Sequence, residues 1–121
     1  MKKDMIISVN NIKLYAYHGC LEEEALIGGN YQVDVDIFTD FSEAAKTDDL
    51  SKTVDYCDVY ELVKREMGIR SKLIEHVAHR IAKALLHSNA KINEVKVELT
   101  KIAPPINGDV KSVSIKLRVG R

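Results

Sequence analysis

Residues 31–37 read Tyr-Gln-Val-Asp-Val-Asp-Ile, a strict alternation that no helix could present with one clean face. Period two puts Tyr31, Val33, Val35 and Ile37 on one side of a strand and Gln32, Asp34 and Asp36 on the other. A strand dry on one side and wet on the other belongs in an antiparallel sheet with one solvated face. Its apolar side then needs a second layer. In Ile6–Tyr17, Ile12, Leu14 and Ala16 alternate with Lys13, Tyr15 and Tyr17 after an irregular, Asn-rich start. Glu94–Lys101 carries Val95, Val97 and Leu99 in phase, and Lys111–Val119 carries Val113, Ile115, Leu117 and Val119.

The covering layer is predicted between the two strand pairs. Tyr56, Val59, Tyr60, Val63 and Met67 recur at helical spacing behind an Asp55 cap, with Gly68 as the stop. Ser71 is placed to cap a second helix, in which Leu73, Ile74, Val77, Ala78, Ile81, Ala82, Leu85 and Leu86 form a broad apolar stripe. Residues 18–30, with their glycines, read as a loop, and the segment from Ser42 to Val54 as a polar crossover. The expectation is one α+β domain over residues 1–121: a four-stranded antiparallel sheet with two helices, between strands two and three, packed on one face. Four strands leave two open edges, and edges invite pairing between chains. A homo-oligomer whose subunits join their sheets into a barrel would close them.

Lys plus Arg and Asp plus Glu stand at 18 each, which gives no electrostatic reason to expect nucleic acid or a membrane surface as partner. No stretch is long and apolar enough to span a bilayer, and the apolar run Met5–Ile7 is too short for a signal-peptide core. Cys20 and Cys57, the only cysteines, read as reduced thiols, so a cytoplasmic protein is expected.

Lys101 ends the apolar face of its strand, in phase with Val95, Val97 and Leu99. Either the strand stops at Thr100 and the lysine reaches out to water, or an ammonium sits at the rim of the core, suited to proton transfer. Glu75 lies on the flank of the helical stripe, beside Ala78 and Ala82. It is either a boundary glutamate paired with a lysine, or a pocket carboxylate able to take two parallel hydrogen bonds from a planar N–H, NH₂ unit. Glu22, Glu23 and Glu24 form a charge run in which nothing singles out one member. A first-turn tyrosine such as Tyr56 is as readily packing as chemistry. His18, His76, His79 and His87 have no familiar ligand spacing, so no metal site is expected, and no phosphate loop is present.

Four stretches together resemble the dihydroneopterin aldolase family of folate biosynthesis. They are YAYHGCLEEEALIG (Tyr15–Gly28), DFSEAAKTDDLSKTVDY (Asp40–Tyr56), KLIEHVAHRIA (Lys72–Ala82) and LTKIAPPINGD (Leu99–Asp109), in the family's order and spacing. The resemblance implies the tunnelling fold, commonly an octamer of two stacked tetrameric rings with active sites at subunit interfaces. It implies a retro-aldol cleavage of a small pterin, 7,8-dihydroneopterin, to 6-hydroxymethyl-7,8-dihydropterin and glycolaldehyde, without metal or cofactor. Lys101 then resembles the general acid–base, and Glu75 the anchor for the pterin amino and ring N–H groups, with the Ile74 backbone assisting. Glu24 resembles a residue near the substrate's side-chain hydroxyls. Tyr56 resembles a residue that a neighbouring subunit lays over the pterin. Two positions depart from the family pattern: Gly29, where Gln is frequent, and Ile102, where Pro is frequent. The alternatives are an epimerase at C2′, acting on dihydroneopterin or its triphosphate, a zinc-dependent enzyme of the same fold, or a non-catalytic pterin or purine binder.

Overall fold

In a computed structural model of the chain, residues 5–121 are described, and Met1–Asp4, with the two lysines of the short N-terminal reading, lie outside them. Strands β1 (Ile6–Ala16), β2 (Gly29–Phe38), β3 (Glu94–Ile102) and β4 (Ser112–Gly120) lie side by side in chain order, every pair antiparallel. Register stacks Ile12 on Val33, Val33 on Leu99 and Leu99 on Ile115. Val33, Val35, Ile37, Val95, Val97 and Leu99 are all buried, as the alternation predicted. The irregular start of β1 is a bulge: register slips between Val9 and Ile12, and Asn11 takes φ 55°. Asparagine tolerates that left-handed backbone, and its N–H is caught by Asp34 Oδ1 at 2.8 Å.

Helices α3 (Tyr56–Met67) and α4 (Ile74–Ser88) cover the apolar face, α3 against β1 and α4 across β3 and β4. Asp55 caps α3 through the Cys57 N–H at 2.9 Å, and Gly68 ends it. The stripe of α4 is buried from Ile74 to Leu86, whereas Leu73 is exposed. Three expectations need correction. Ser71 does not cap α4: Leu73 holds that position, and the Ser71 hydroxyl, two residues ahead of it, receives Arg80 instead. Tyr56 and Tyr60 face water, and Leu62 and Glu66 take the buried places, because the buried arc of α3 is rotated toward β1 and α4. The third is the loop and the crossover, which carry helical turns of their own.

The helices there are α1 (Glu22–Ile27) and α2 (Ser42–Thr47), followed by a 3-10 turn at Leu50–Lys52. Three glutamates in the first turn of α1 suit the positive end of a helix, and the Glu24 carboxylate turns back onto the Leu21 N–H at 3.3 Å. Gly28, at φ 75°, stops it.

Candidate functional site

β3 does not stop at Thr100 but continues to Ile102, so Lys101 stands inside the ladder between Tyr31 of β2 and Val113 of β4. Only 15% of its side chain is exposed, so it does not reach out to water. Nζ donates to the His18 carbonyl at 3.0 Å and forms an ion pair with the Glu24 carboxylate. It also lies 5.8 Å from the centre of the Tyr31 ring. Tyr31 donates its hydroxyl to the same His18 carbonyl at 2.8 Å. Burial pushes the Tyr31 phenol above its usual range, with the Lys101 charge pulling the other way.

His18 is fully buried, edge-on to Tyr31 at 5.3 Å between ring centres. Its Nδ1 accepts the Ser71 N–H at 3.1 Å, while Nε2 has no partner among the described residues. Burial lowers its pKa to about 4 against the opposing pull of the Met67 backbone, so the ring is neutral at pH 7. Arg70 fastens the same stretch, donating to the Tyr17 carbonyl at 3.0 Å and the Gly19 carbonyl at 2.8 Å. Gly19 has φ 137°, a backbone that favours glycine, and a Cβ there would displace the Glu24 carboxylate from its place beside Lys101. Strand end, loop and the turn before α4 are thus tied into one support for the Lys101–Glu24 pair.

That pair opens onto a cavity of about 340 Å³ whose walls include Lys101, Glu24, Ile74, Glu75, Lys72 and Pro104. Glu75 is exposed and, among the described residues, has no ion-pair partner; the boundary pairing with a lysine does not occur. A second cavity of about 160 Å³, lined by Ile27, Gly28, Gly29 and Tyr31, shares Glu24, Lys101 and Pro105 with the first. Tyr56 is not brought to either cavity. It starts α3 at the end away from the turn into α4, about 17 Å along the axis by helical rise, and is 65% exposed. His76, His79 and His87 line a separate open groove with Glu66 and Lys83, and His18 is not among them. Among the described residues no three His, Cys, Asp or Glu side chains are clustered for metal binding.

The sequence pointed to His18 only as a metal candidate and to Tyr31 only as core. The signal for their other role was a histidine next to a glycine at a strand end, which asks what holds a polar ring in an apolar setting. Chemically, the site offers a sheltered ammonium–carboxylate pair between two cavities and a second carboxylate free to bind a planar donor pair.

The dihydroneopterin aldolase (FolB) family model matches residues 7–118. A dihydroneopterin aldolase of Staphylococcus epidermidis is 42% identical over 113 residues, 93% of either chain. That of Bacillus subtilis is 36% identical over 112 residues, 92% of this chain and 93% of its own. Among solved structures, Escherichia coli dihydroneopterin aldolase in complex with neopterin superimposes with a TM-score of 0.88 at 24% identity, covering 96% of this chain and 99% of that one. A Bacillus uricase shares the fold at a TM-score of 0.74 and 12% identity, this chain matching 47% of it.

Proposed function

Because the chain belongs to the dihydroneopterin aldolase family, we propose that Lys101, Glu75 and Glu24 carry out the retro-aldol cleavage of 7,8-dihydroneopterin in folate biosynthesis. One observation carries the assignment: the paired Lys101 ammonium and the unpaired Glu75 carboxylate stand on the walls of one cavity. The ring docks on Glu75, which accepts from the exocyclic amino group and the adjacent ring N–H, and the neighbouring Ile74 backbone assists. Such a docking sets the 6-substituent toward Lys101 and Glu24.

An aldolase must give the electrons of the breaking bond somewhere to go. The substrate supplies the place, since its N5=C6 imine adjoins C1′. When the C2′ hydroxyl loses its proton, the C1′–C2′ bond opens, its electrons move toward N5, and C2′ leaves as the aldehyde of glycolaldehyde. C1′ is then reprotonated to give 6-hydroxymethyl-7,8-dihydropterin. Lys101 moves these protons, with water relaying them, and Glu24 receives the side-chain hydroxyls that come to lie beside it. Positioned acid–base help of this kind is worth roughly 10²–10⁴-fold.

Assembly belongs to the same proposal. Tyr56 is exposed and remote from its own chain's cavity, and β1 and β4 leave two sheet edges open. A homo-oligomeric barrel, an octamer of two rings, would close the edges and bring a neighbour's Tyr56 over the pterin. Mixing Tyr56→Ala and Lys101→Ala subunits should then restore part of the activity that each lacks alone. The reaction itself is tested by incubating chelator-treated protein with 7,8-dihydroneopterin and identifying the products. Stoichiometric glycolaldehyde and 6-hydroxymethyl-7,8-dihydropterin are expected. An epimerised pterin with no glycolaldehyde, or no turnover at all, would overturn the assignment.

A further inference from the structure

The two cavities that meet at the Lys101–Glu24 pair differ in what they can hold. The larger has Glu75 on its wall, where the proposed reaction seats the ring. If the bond that breaks lies at Lys101, the fragment that leaves must lie beyond it, in the cavity of about 160 Å³ lined by Ile27, Gly28, Gly29 and Tyr31. That volume equals about five waters at the ~30 Å³ each occupies in the liquid, more than a two-carbon hydroxyaldehyde fills.

Adjacent glycines on its wall have opposite reasons to be glycine. Gly28 has φ 75°, and a Cβ there would come within 2.6 Å of the Tyr15 ring and 2.8 Å of the Ala16 carbonyl. A Cβ on Gly29 would meet nothing within 4 Å, and no left-handed backbone demands glycine. Gly29 begins β2 two residues before Tyr31, so its missing side chain would project from the same face as Tyr31, the cross-strand partner of Lys101. What glycine provides at this position is space. Charge restricts the occupant further: Lys101 is neutralised by Glu24, which leaves Glu23 as the uncompensated charge on the wall.

We propose that Gly29 makes the smaller cavity a chamber for the leaving fragment, one that accepts uncharged polyhydroxyalkyl tails longer than the three carbons of neopterin and disfavours phosphorylated ones. The proposal rests on the retro-aldol reading above. Chemistry is unchanged for a longer tail: the C2′ hydroxyl gives up its proton, the C1′–C2′ electrons enter the imine, C1′ is reprotonated, and a longer aldehyde departs with no oxidant or reductant needed.

The test compares kcat/KM for 7,8-dihydroneopterin, its tetrahydroxybutyl homologue and its triphosphate ester, in the wild type and in Gly29→Ala, Gly29→Val and Gly29→Leu. In the wild type the homologue should be cleaved within about tenfold of dihydroneopterin, and the triphosphate at least about tenfold more slowly. The homologue should then fall progressively from Ala through Val to Leu, by about tenfold or more at Leu, with dihydroneopterin reduced less than about threefold. Equal losses on both substrates, no loss on either, or a wild type that already rejects the homologue would overturn the chamber while leaving the aldolase reading intact. A wild type that cleaves none of the three would overturn that reading, and the chamber with it.

Discussion

Among the described residues, two ion pairs are buried to nearly the same depth and held differently. Arg80 and Glu66 face each other at 3.0 Å with 23% and 10% of their side chains exposed; for Lys101 and Glu24 the figures are 15% and 12%. Arg80, however, also donates to the carbonyls of Glu66 and Ile69, both at 2.8 Å, and to the Ser71 hydroxyl at 3.4 Å. Glu66 takes a second guanidinium, Arg65, at 3.3 Å. A planar fork with one arm on two backbone carbonyls and the other on a hydroxyl cannot turn to a ligand. Lys101 is a point charge on a flexible stem. Its partner sits on the six-residue helix α1, and besides that carboxylate Nζ holds a single carbonyl. Access does not separate the pairs, since Arg80 and Glu66 line the groove of His76, His79 and His87 as Lys101 and Glu24 line their cavities. Burying a charge therefore does not mark the functional site. The mark is a buried charge whose partner can be exchanged.

The comparison is tested hardest by removing one member of each pair. Lys101→Ala should lower turnover by about 10²–10⁴-fold with pterin affinity retained. Its cost to folding should stay below about 3 kcal/mol, that of a broken buried pair, because the freed Glu24 carboxylate can rotate into a cavity and be hydrated. Glu66→Ala should do the reverse. It leaves Arg80 without its carboxylate while two backbone carbonyls keep the guanidinium from turning into the groove, at a cost of about 3 kcal/mol in denaturant unfolding, with kcat of the folded enzyme within about twofold of wild type. If Lys101→Ala proves the more destabilising, or Glu66→Ala the more damaging to kcat, the distinction between a fixed and an exchangeable pair is wrong.

The sheet was readable from the sequence because period two is a local property: Val33, Val35, Val95 and Val97 declare their face without reference to anything distant. So was Asp55 as a cap, and Asn10–Asn11 as an irregularity. Lys101 could be singled out by phase, but its environment could not, since its partners Glu24 and His18 are 77 and 83 residues away, in the connection from β1 to β2, and meet it through the pairing of β2 with β3. Helix α1 was hidden because six residues carry too little periodicity to show among glycines. The role of Ser71 was misread for a similar reason. Its spacing suggested a cap, but α4 begins only at Ile74, and the Ser71 hydroxyl that would have capped it receives Arg80. Tyr56 and Tyr60 were misplaced because tyrosine is amphipathic, and spacing alone does not fix which side of a helix is dry.

Glu75 is a third case, a carboxylate on the cavity wall with no cation of its own. If it is the ring anchor, Glu75→Ala loses two charge-assisted hydrogen bonds, and pterin affinity should fall by about tenfold to a hundredfold, about 1.5–3 kcal/mol. Folding should lose no more than about 1 kcal/mol, the interaction of a first-turn carboxylate with the N-terminal end of α4. Calorimetric titration with a non-cleavable pterin separates the two effects. Unchanged affinity would leave Glu75 as a surface residue and move the anchor elsewhere on the wall.

The smallest effect concerns the residue that joins the two pairs. The His18 carbonyl receives Lys101, and its Nδ1 receives the N–H of Ser71, whose hydroxyl receives Arg80. Folding holds this ring neutral, with its pKa down from 6.5 to about 4. An unfolded chain takes up the proton as pH falls through 6.5, and the folded chain does not until about 4. The stability His18 contributes is therefore complete above pH 6.5, declines between 6.5 and 4, and is constant below. Between about pH 7.5 and 5.5 this amounts to about 1.4 kcal/mol. His18→Asn keeps an acceptor for the Ser71 N–H but does not titrate, so its unfolding free energy should be flatter than wild type by that amount across the window. Parallel pH profiles for the two proteins would mean that His18 already exchanges its proton in the folded state. The support shared by the two pairs would then be looser than its hydrogen bonds imply.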